Sequence, residues 1–175
     1  MVTLVIGGAA SGKSEYAEQR LLQASEGPRV YIATLHPSDA ESEQRIQKHR
    51  EARAGRSFRT IECYTGLDRV VLEDPSDVLL DCMGNLLANE LYDPDGAGQN
   101  AVSAILRGVD HLIPQCRNLV LVTNEVGAGG TDYEGDTLTY LKYMGELNRA
   151  LAARADRVAE VVAGLPLIYK GGNTA

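Results

Sequence analysis

Gly7, Gly8, Ala9, Ala10, Ser11, Gly12, Lys13 and Ser14 form one run that satisfies G-x-x-x-x-G-K-[ST]. Each residue type there has a chemical reason. Glycines let backbone N–H groups turn inward around phosphate oxygens. The N-terminus of a following helix adds partial positive charge. Lys13 can reach the β- and γ-phosphates, and the Ser14 hydroxyl can hold Mg²⁺. The setting also fits, because an apolar strand over residues 2–6 precedes the run and a helical stretch over 13–25 follows it. The implied chemistry is binding of a nucleoside triphosphate, ATP or GTP. The loop alone does not choose the base, or decide between kinase, motor and switch.

Such a loop works with an acid at the end of a neighbouring buried strand, which holds Mg²⁺ or its water. Asp81, after Val78-Leu79-Leu80, fits that place, and Glu125, after Leu121-Val122-Thr123-Asn124, competes for it. Either acid could instead cap the next helix.

A second constellation lies in EQRIQKHREARAGR. On a helix, Arg45, His49 and Arg53 share one stripe, and Lys48, Arg50 and Arg56 add positive charge nearby. Arginines there can grip a polyphosphate in bidentate fashion. A neutral imidazole among them could attack phosphorus while the cations neutralise a leaving pyrophosphate. The spacing alone favours the plainer reading, a solvated helix end whose cations suit the helix dipole. His36, before Pro37, and His111, in an amphipathic stretch, read as structural or surface residues.

The elements that must position these groups alternate along the chain. Strands are expected over 2–6, 29–34, 57–63, 78–82, 119–123, 157–163 and 167–170, and helices over 13–25, 38–54, 83–91, 99–113 and 138–155. Val- and Ile-rich strands alternating with helices predict an α/β, P-loop NTPase-type three-layer fold with a mainly parallel sheet, RecA-like, in a single domain over 1–175. Ligands of such sheets bind beyond the carboxyl ends of the strands, where the phosphate loop lies.

Composition narrows the partners. The 175 residues carry a net charge of −7, which argues against broad nucleic-acid binding, and aromatics at 5% are too few for base-stacking platforms. No window approaches the roughly 20 apolar residues of a membrane helix, and the start MVTLVIGG is not a signal peptide. Cys63, Cys82 and Cys116 show no C-x-x-C pairing, which predicts reduced thiols in a cytoplasmic protein and no zinc site.

Taken in order, GGAASGKSEYAE, YIAT, RIQKHREAR, FRTIEC, LLDCMGNLLANELY, LVLVTNEVGAG and LNRALAARADRVAEVVAGLPLIYKG resemble the bifunctional adenosylcobinamide kinase / adenosylcobinamide-phosphate guanylyltransferase family of cobalamin biosynthesis. The resemblance implies two reactions. A nucleoside triphosphate phosphorylates the aminopropanol hydroxyl of adenosylcobinamide; GTP then guanylylates a histidine, which passes GMP to the phosphorylated corrinoid. The residue matching that histidine is His49. The family's nucleotide contacts fall on Gly7 to Ser14, on Ala33, Thr34 and Leu35, on Arg50, Glu51, Ala52 and Arg53, and on Glu62 and Asp81. A carboxylate at Glu62 or Asp81 could accept from the N1–H and amino group of guanine, which competes with the Mg²⁺ role of Asp81. The resemblance further implies a homo-oligomer, a trimer. Phe58 stands where the family has Trp, and Asp81 where Glu is common. GTDYEGDTLTYLKYMGELNR replaces the family's V-P-x₅-R-x-[FY]-x-D stretch.

Overall fold

The computed structural model describes residues 1–24, 26–37, 43–44, 46–47, 55, 58–126 and 133–172. The strands are β1 (Val2–Gly7), β2 (Arg29–Ala33), β3 (Phe58–Glu62), β4 (Ser76–Asp81), β5 (Cys116–Asn124), β6 (Arg157–Val162) and β7 (Leu165–Lys170). The helices are α1 (Lys13–Ala24), α2 (Met83–Tyr92), α3 (Ala101–Leu112) and α4 (Gly135–Arg154). All seven strands join one sheet in the order β3-β2-β4-β5-β1-β6-β7. Every neighbouring pair is parallel except β6 with β7, which close the sheet as an antiparallel hairpin.

Side chains alternate across this sheet, and the alternation builds two apolar layers. Leu4, Ile32, Leu80, Leu119 and Leu121 point to one face, where they pack with Leu86 and Leu87 of α2, Ile105 and Val109 of α3, and Leu147 and Leu151 of α4. Val5, Tyr31, Leu79, Val120, Val122 and Val161 point to the other, where Ala17 and Leu21 of α1 cover them. Both faces of the inner strands are thus dry, which is why these strands read as unbroken apolar runs. Phe58 is half-buried and packs beside the second layer.

The expected elements are present wherever the chain is described, with shifted edges. The strand expected over 167–170 starts at Leu165, directly after a turn at Ala163 and Gly164, both with positive φ (50° and 79°). Pro166 lies within this strand, and an edge strand tolerates a proline because one side of it needs no N–H donor. The helix expected over 38–54 lies largely outside the described residues; Glu43, Gln44, Ile46 and Gln47 are helical.

Candidate functional site

Six parallel strands end on one edge of the sheet, and the last residues of five of them form a row. Glu62 is level with Ala33, Ala33 with Asp81, and Gly7 with Asn124, while Asp81 pairs with Val122 two residues before Asn124. With strands about 4.8 Å apart, Asp81 lies about 10 Å across the sheet from β1 and Glu62 about 19 Å.

The phosphate loop leaves β1 at this edge. Ala10 and Gly12 both adopt left-handed backbone (φ 54° and 88°), which turns successive amides to one side in the manner of an anion nest. The loop is braced from outside: Gly164 N–H donates to Ser11 O at 2.8 Å, and Glu125 N–H to Gly7 O at 3.0 Å. A Cβ on Gly12 would stand 3.2 Å from Gly164 Cα, so the β6–β7 turn sits hard against the loop. Lys13 Nζ donates to Gly8 O at 3.0 Å, a local bond that holds the ammonium over the loop. Ser11 Oγ is buried and has no hydrogen-bond partner among the described residues.

Beyond the loop lies an open cleft of about 760 Å³, mouth included. Lys13 and Ser14 line one end of it, and Asp81 lies between them and a far wall of Ala33, Leu35 and Glu62. Six of the residues expected from sequence therefore share one cavity. Tyr31, Thr60 and Tyr64 add to the far wall, Cys82, Asn85 and Asn124 line the near part, and Ile46 comes from the helical segment before His49. The Tyr64 hydroxyl donates to Glu62 Oε2 at 3.0 Å, and the His36 ring packs tilted against the Tyr64 ring, centroids 4.7 Å apart, which orients the Glu62 carboxylate from outside.

The loops after β2, β3 and β4 are laced together behind this wall. Thr34 Oγ1 donates to Cys82 O and accepts from Cys82 N–H, each at 2.8 Å. Asn89 Nδ2 donates to Thr34 O at 2.9 Å and Tyr64 O at 3.0 Å. Thr34 is thus fully buried in a framework role rather than lining the cleft. Burial pushes the Cys82 thiol up to about 11, helped by the Asp81 charge and opposed by the Gly84 and Asn85 amides and by Lys13. That thiol stays protonated at neutral pH, so it forms a wall and not a nucleophile.

His49, Arg50, Glu51, Ala52 and Arg53 lie outside the described residues, as do Arg45, Lys48 and Arg56. Glu125 is exposed and does not line the cleft, whereas Asp81 does. His111 Nε2 donates to Val70 O (3.0 Å), a structural tie that matches its expected role. Sequence reasoning passed over Asn124, Asn85, Tyr31 and Tyr64. The signal for Asn124 was available: it is a polar residue closing an apolar strand that precedes a loop. Ser14 and Asp81 offer hydroxyl and carboxylate oxygens, the hard donors Mg²⁺ takes alongside phosphate, so the residues present fit that ion.

A mainly parallel sheet with this loop at the carboxyl end of β1 defines a P-loop NTPase fold. Solved structures agree: a KaiC-like protein from Pyrococcus horikoshii matches 97% of this chain and 79% of its own at a TM-score of 0.50 and 13% identity. A second solved structure, of an ATPase domain, matches 91% of this chain and 68% of its own, also at 0.50 and 13%. Within that class the chain belongs to the CobU family, cobinamide kinase / cobinamide phosphate guanyltransferase, which it matches over residues 3–168. It is 37% identical to the bifunctional adenosylcobalamin biosynthesis protein CobU of Salmonella typhimurium, over 97% of this chain and all of that one. It is 36% identical to the protein of the same name from Escherichia coli, over 97% of this chain and all of that one, and 36% to CobP of Pseudomonas aeruginosa, over 98% of each.

Proposed function

We propose that this chain phosphorylates adenosylcobinamide with a nucleoside triphosphate and then transfers GMP from GTP, through a guanylylated His49, to give adenosyl-GDP-cobinamide. The observation that carries this reading is the single cleft in which Lys13 and Ser14 of the phosphate loop meet Asp81 and Glu62. In the first reaction the aminopropanol oxygen bonds to the γ-phosphorus, the bridge to the β-phosphate breaks, and a nucleoside diphosphate leaves. In the second a ring nitrogen of His49 bonds to the α-phosphorus and pyrophosphate leaves. The phosphate oxygen of the corrinoid then takes the GMP and frees the histidine. Both reactions call for placement and charge neutralisation more than for unusual groups.

Residues 7–14 wrap the phosphates, with Lys13 as their cation. Arg50 and Arg53 add charge at the histidine. Ile46, three positions before His49, lines the cleft, which supports delivery of the imidazole there. Ser14 and Asp81 would hold Mg²⁺, which when bound neutralises phosphate charge. Glu62, twice as far across the sheet from β1 and oriented by Tyr64, is assigned to the guanine edge. The corrinoid is too large for the cleft and rests at its open mouth. The protein acts in the cytoplasm, in keeping with its free thiols at Cys63, Cys82 and Cys116, and as a homo-oligomer of single-domain subunits.

The test is incubation with GTP labelled at the α-phosphorus. The protein should take up label in an acid-labile, alkali-stable bond, and His49→Ala should lose it. Absence of label on the wild type, or its persistence in the variant, overturns the guanylyl-transfer half.

A further inference from the structure

Asn124 is the last residue of β5, the strand that separates β1 from β4. Register sets it level with Gly7, where the phosphate loop begins. Its side chain lines the cleft with Lys13, Ser14 and Asp81. Its main chain is clamped: Asn148 Nδ2 of α4 donates to Asn124 O at 3.2 Å, and Asn148 Oδ1 accepts from the buried Thr123 hydroxyl at 2.7 Å. The next residue is held as well, by the bond from Glu125 N–H to Gly7 O. The carboxamide itself makes no hydrogen bond to any described residue. Space for it depends on Gly84 at the start of α2, where a Cβ would stand 2.7 Å from Asn124 Nδ2 and 3.1 Å from the Tyr140 hydroxyl. That hydroxyl donates to Gly84 O at 3.2 Å, so this corner has little room to yield.

A rigidly mounted amide with an unused donor, placed between the loop lysine and the strand-end acid, suits one task. We propose that Asn124 is a catalytic residue of the phosphoryl-transfer step, its carboxamide N–H donating to an oxygen of the transferred γ-phosphoryl group. The inference rests on the reading of Lys13 and Ser14 as the triphosphate site. In the step, the acceptor oxygen–phosphorus bond forms as the β,γ-bridging bond breaks, and the hydroxyl proton passes to solvent; Asn124 is chemically unchanged. Its donor strengthens as charge shifts onto the equatorial oxygens, so it favours the transition state over the bound ground state. Being neutral, the amide does not compete with phosphate for Lys13.

The experiment measures nucleotide affinity and the kcat for nucleoside-triphosphate-dependent phosphorylation of adenosylcobinamide in wild type, Asn124→Ala and the isosteric Asn124→Asp. Loss of one such donor costs about a hundredfold in kcat, with affinity for the nucleotide in the Ala variant held within about threefold. Asn124→Asp, which fills the same space without the donor, should lose at least as much kcat. A kcat in either variant within about threefold of wild type overturns the proposal, as does an affinity loss in the Ala variant that parallels its kcat loss. A wild-type protein that binds no nucleotide overturns the underlying site reading and this proposal with it. A wild-type kinase indifferent to the substitutions overturns this proposal alone.

Discussion

Lys13 is the one cation among the described residues of the cleft, and it faces the carboxylates of Asp81 and Glu62. A triphosphate brings more negative charge than Lys13 alone balances, and the proposed Mg²⁺ at Ser14 and Asp81 would neutralise part of the rest. Lys13→Ala should therefore lower phosphoryl transfer by about a hundredfold or more while leaving the melting temperature nearly unchanged, because its only described partner is Gly8 O. Chelation of divalent cations should abolish transfer in wild type; full activity in excess chelator would refute the charge argument. The thiols give a second, independent prediction. Burial raises Cys63 and Cys82 to about 11 and Cys116 to about 12, from an ordinary value of 9.0. The folded state thus keeps protons that the unfolded state releases, so this stability is complete below pH 9 and is lost as pH rises through the folded values. Burial does the same to the Tyr140 hydroxyl, pushed up to about 12. Melting temperature should be flat from neutral pH to about 8.5 and then fall by several degrees by about 10.5, with the fall reduced in a Cys82→Ser, Cys63→Ser double variant. An equal fall in both proteins would assign the alkaline loss elsewhere.

The elements that hold the site were legible in sequence to differing degrees. The strands announced themselves, since a run such as Val78-Leu79-Leu80 must bury both faces, and the glycine-rich stretch after β1 fixed where the loop and α1 begin. Asp81 was legible for the same reason: it ends such a run. The wall formed by Tyr31, Thr60 and Tyr64 was not, because it arises only when β2 and β3 lie side by side, a long-range pairing without a local signature. Glu90 shows the same limit. In sequence it is one acid on a helix; in the fold it is buried, and its Oε1 accepts from Gly66 N–H at 2.7 Å and its Oε2 from Ala97 N–H at 2.9 Å. One carboxylate thus pins the loop after β3, which carries Tyr64, and the turn before α3. Glu90→Ala strands both donors and should cost about 2–4 kcal/mol, seen as a lower urea midpoint with an unchanged slope. A stability within about 0.5 kcal/mol of wild type would show that water replaces the carboxylate at no cost.

At the scale of the whole molecule, the two sides of the sheet differ from its end. The inner strands are covered on both faces, whereas every residue of β7 is exposed, including Leu165 at 70%, Leu167 at 51%, Ile168 at 37% and Tyr169 at 67%. Among the described residues no strand pairs with the outer edge of β7, and an apolar strand with such an edge invites pairing with another chain. A second copy of the subunit is the occupant that the proposed homo-oligomer supplies. Charges placed on this strand should then separate the subunits: Leu165→Glu with Leu167→Glu should sediment as a smaller species than wild type at equal concentration. A wild type that sediments as a monomer would refute the idea outright. The β6–β7 turn adds a consequence for function, because Gly164 N–H holds Ser11 O and its backbone packs against Gly12. Whatever steadies β7 steadies the outer wall of the phosphate loop, so the separated variant should bind nucleotide severalfold more weakly although no substituted residue lies in the cleft. Equal affinity in the assembled and separated forms would show that the hairpin braces the loop without help from its neighbour.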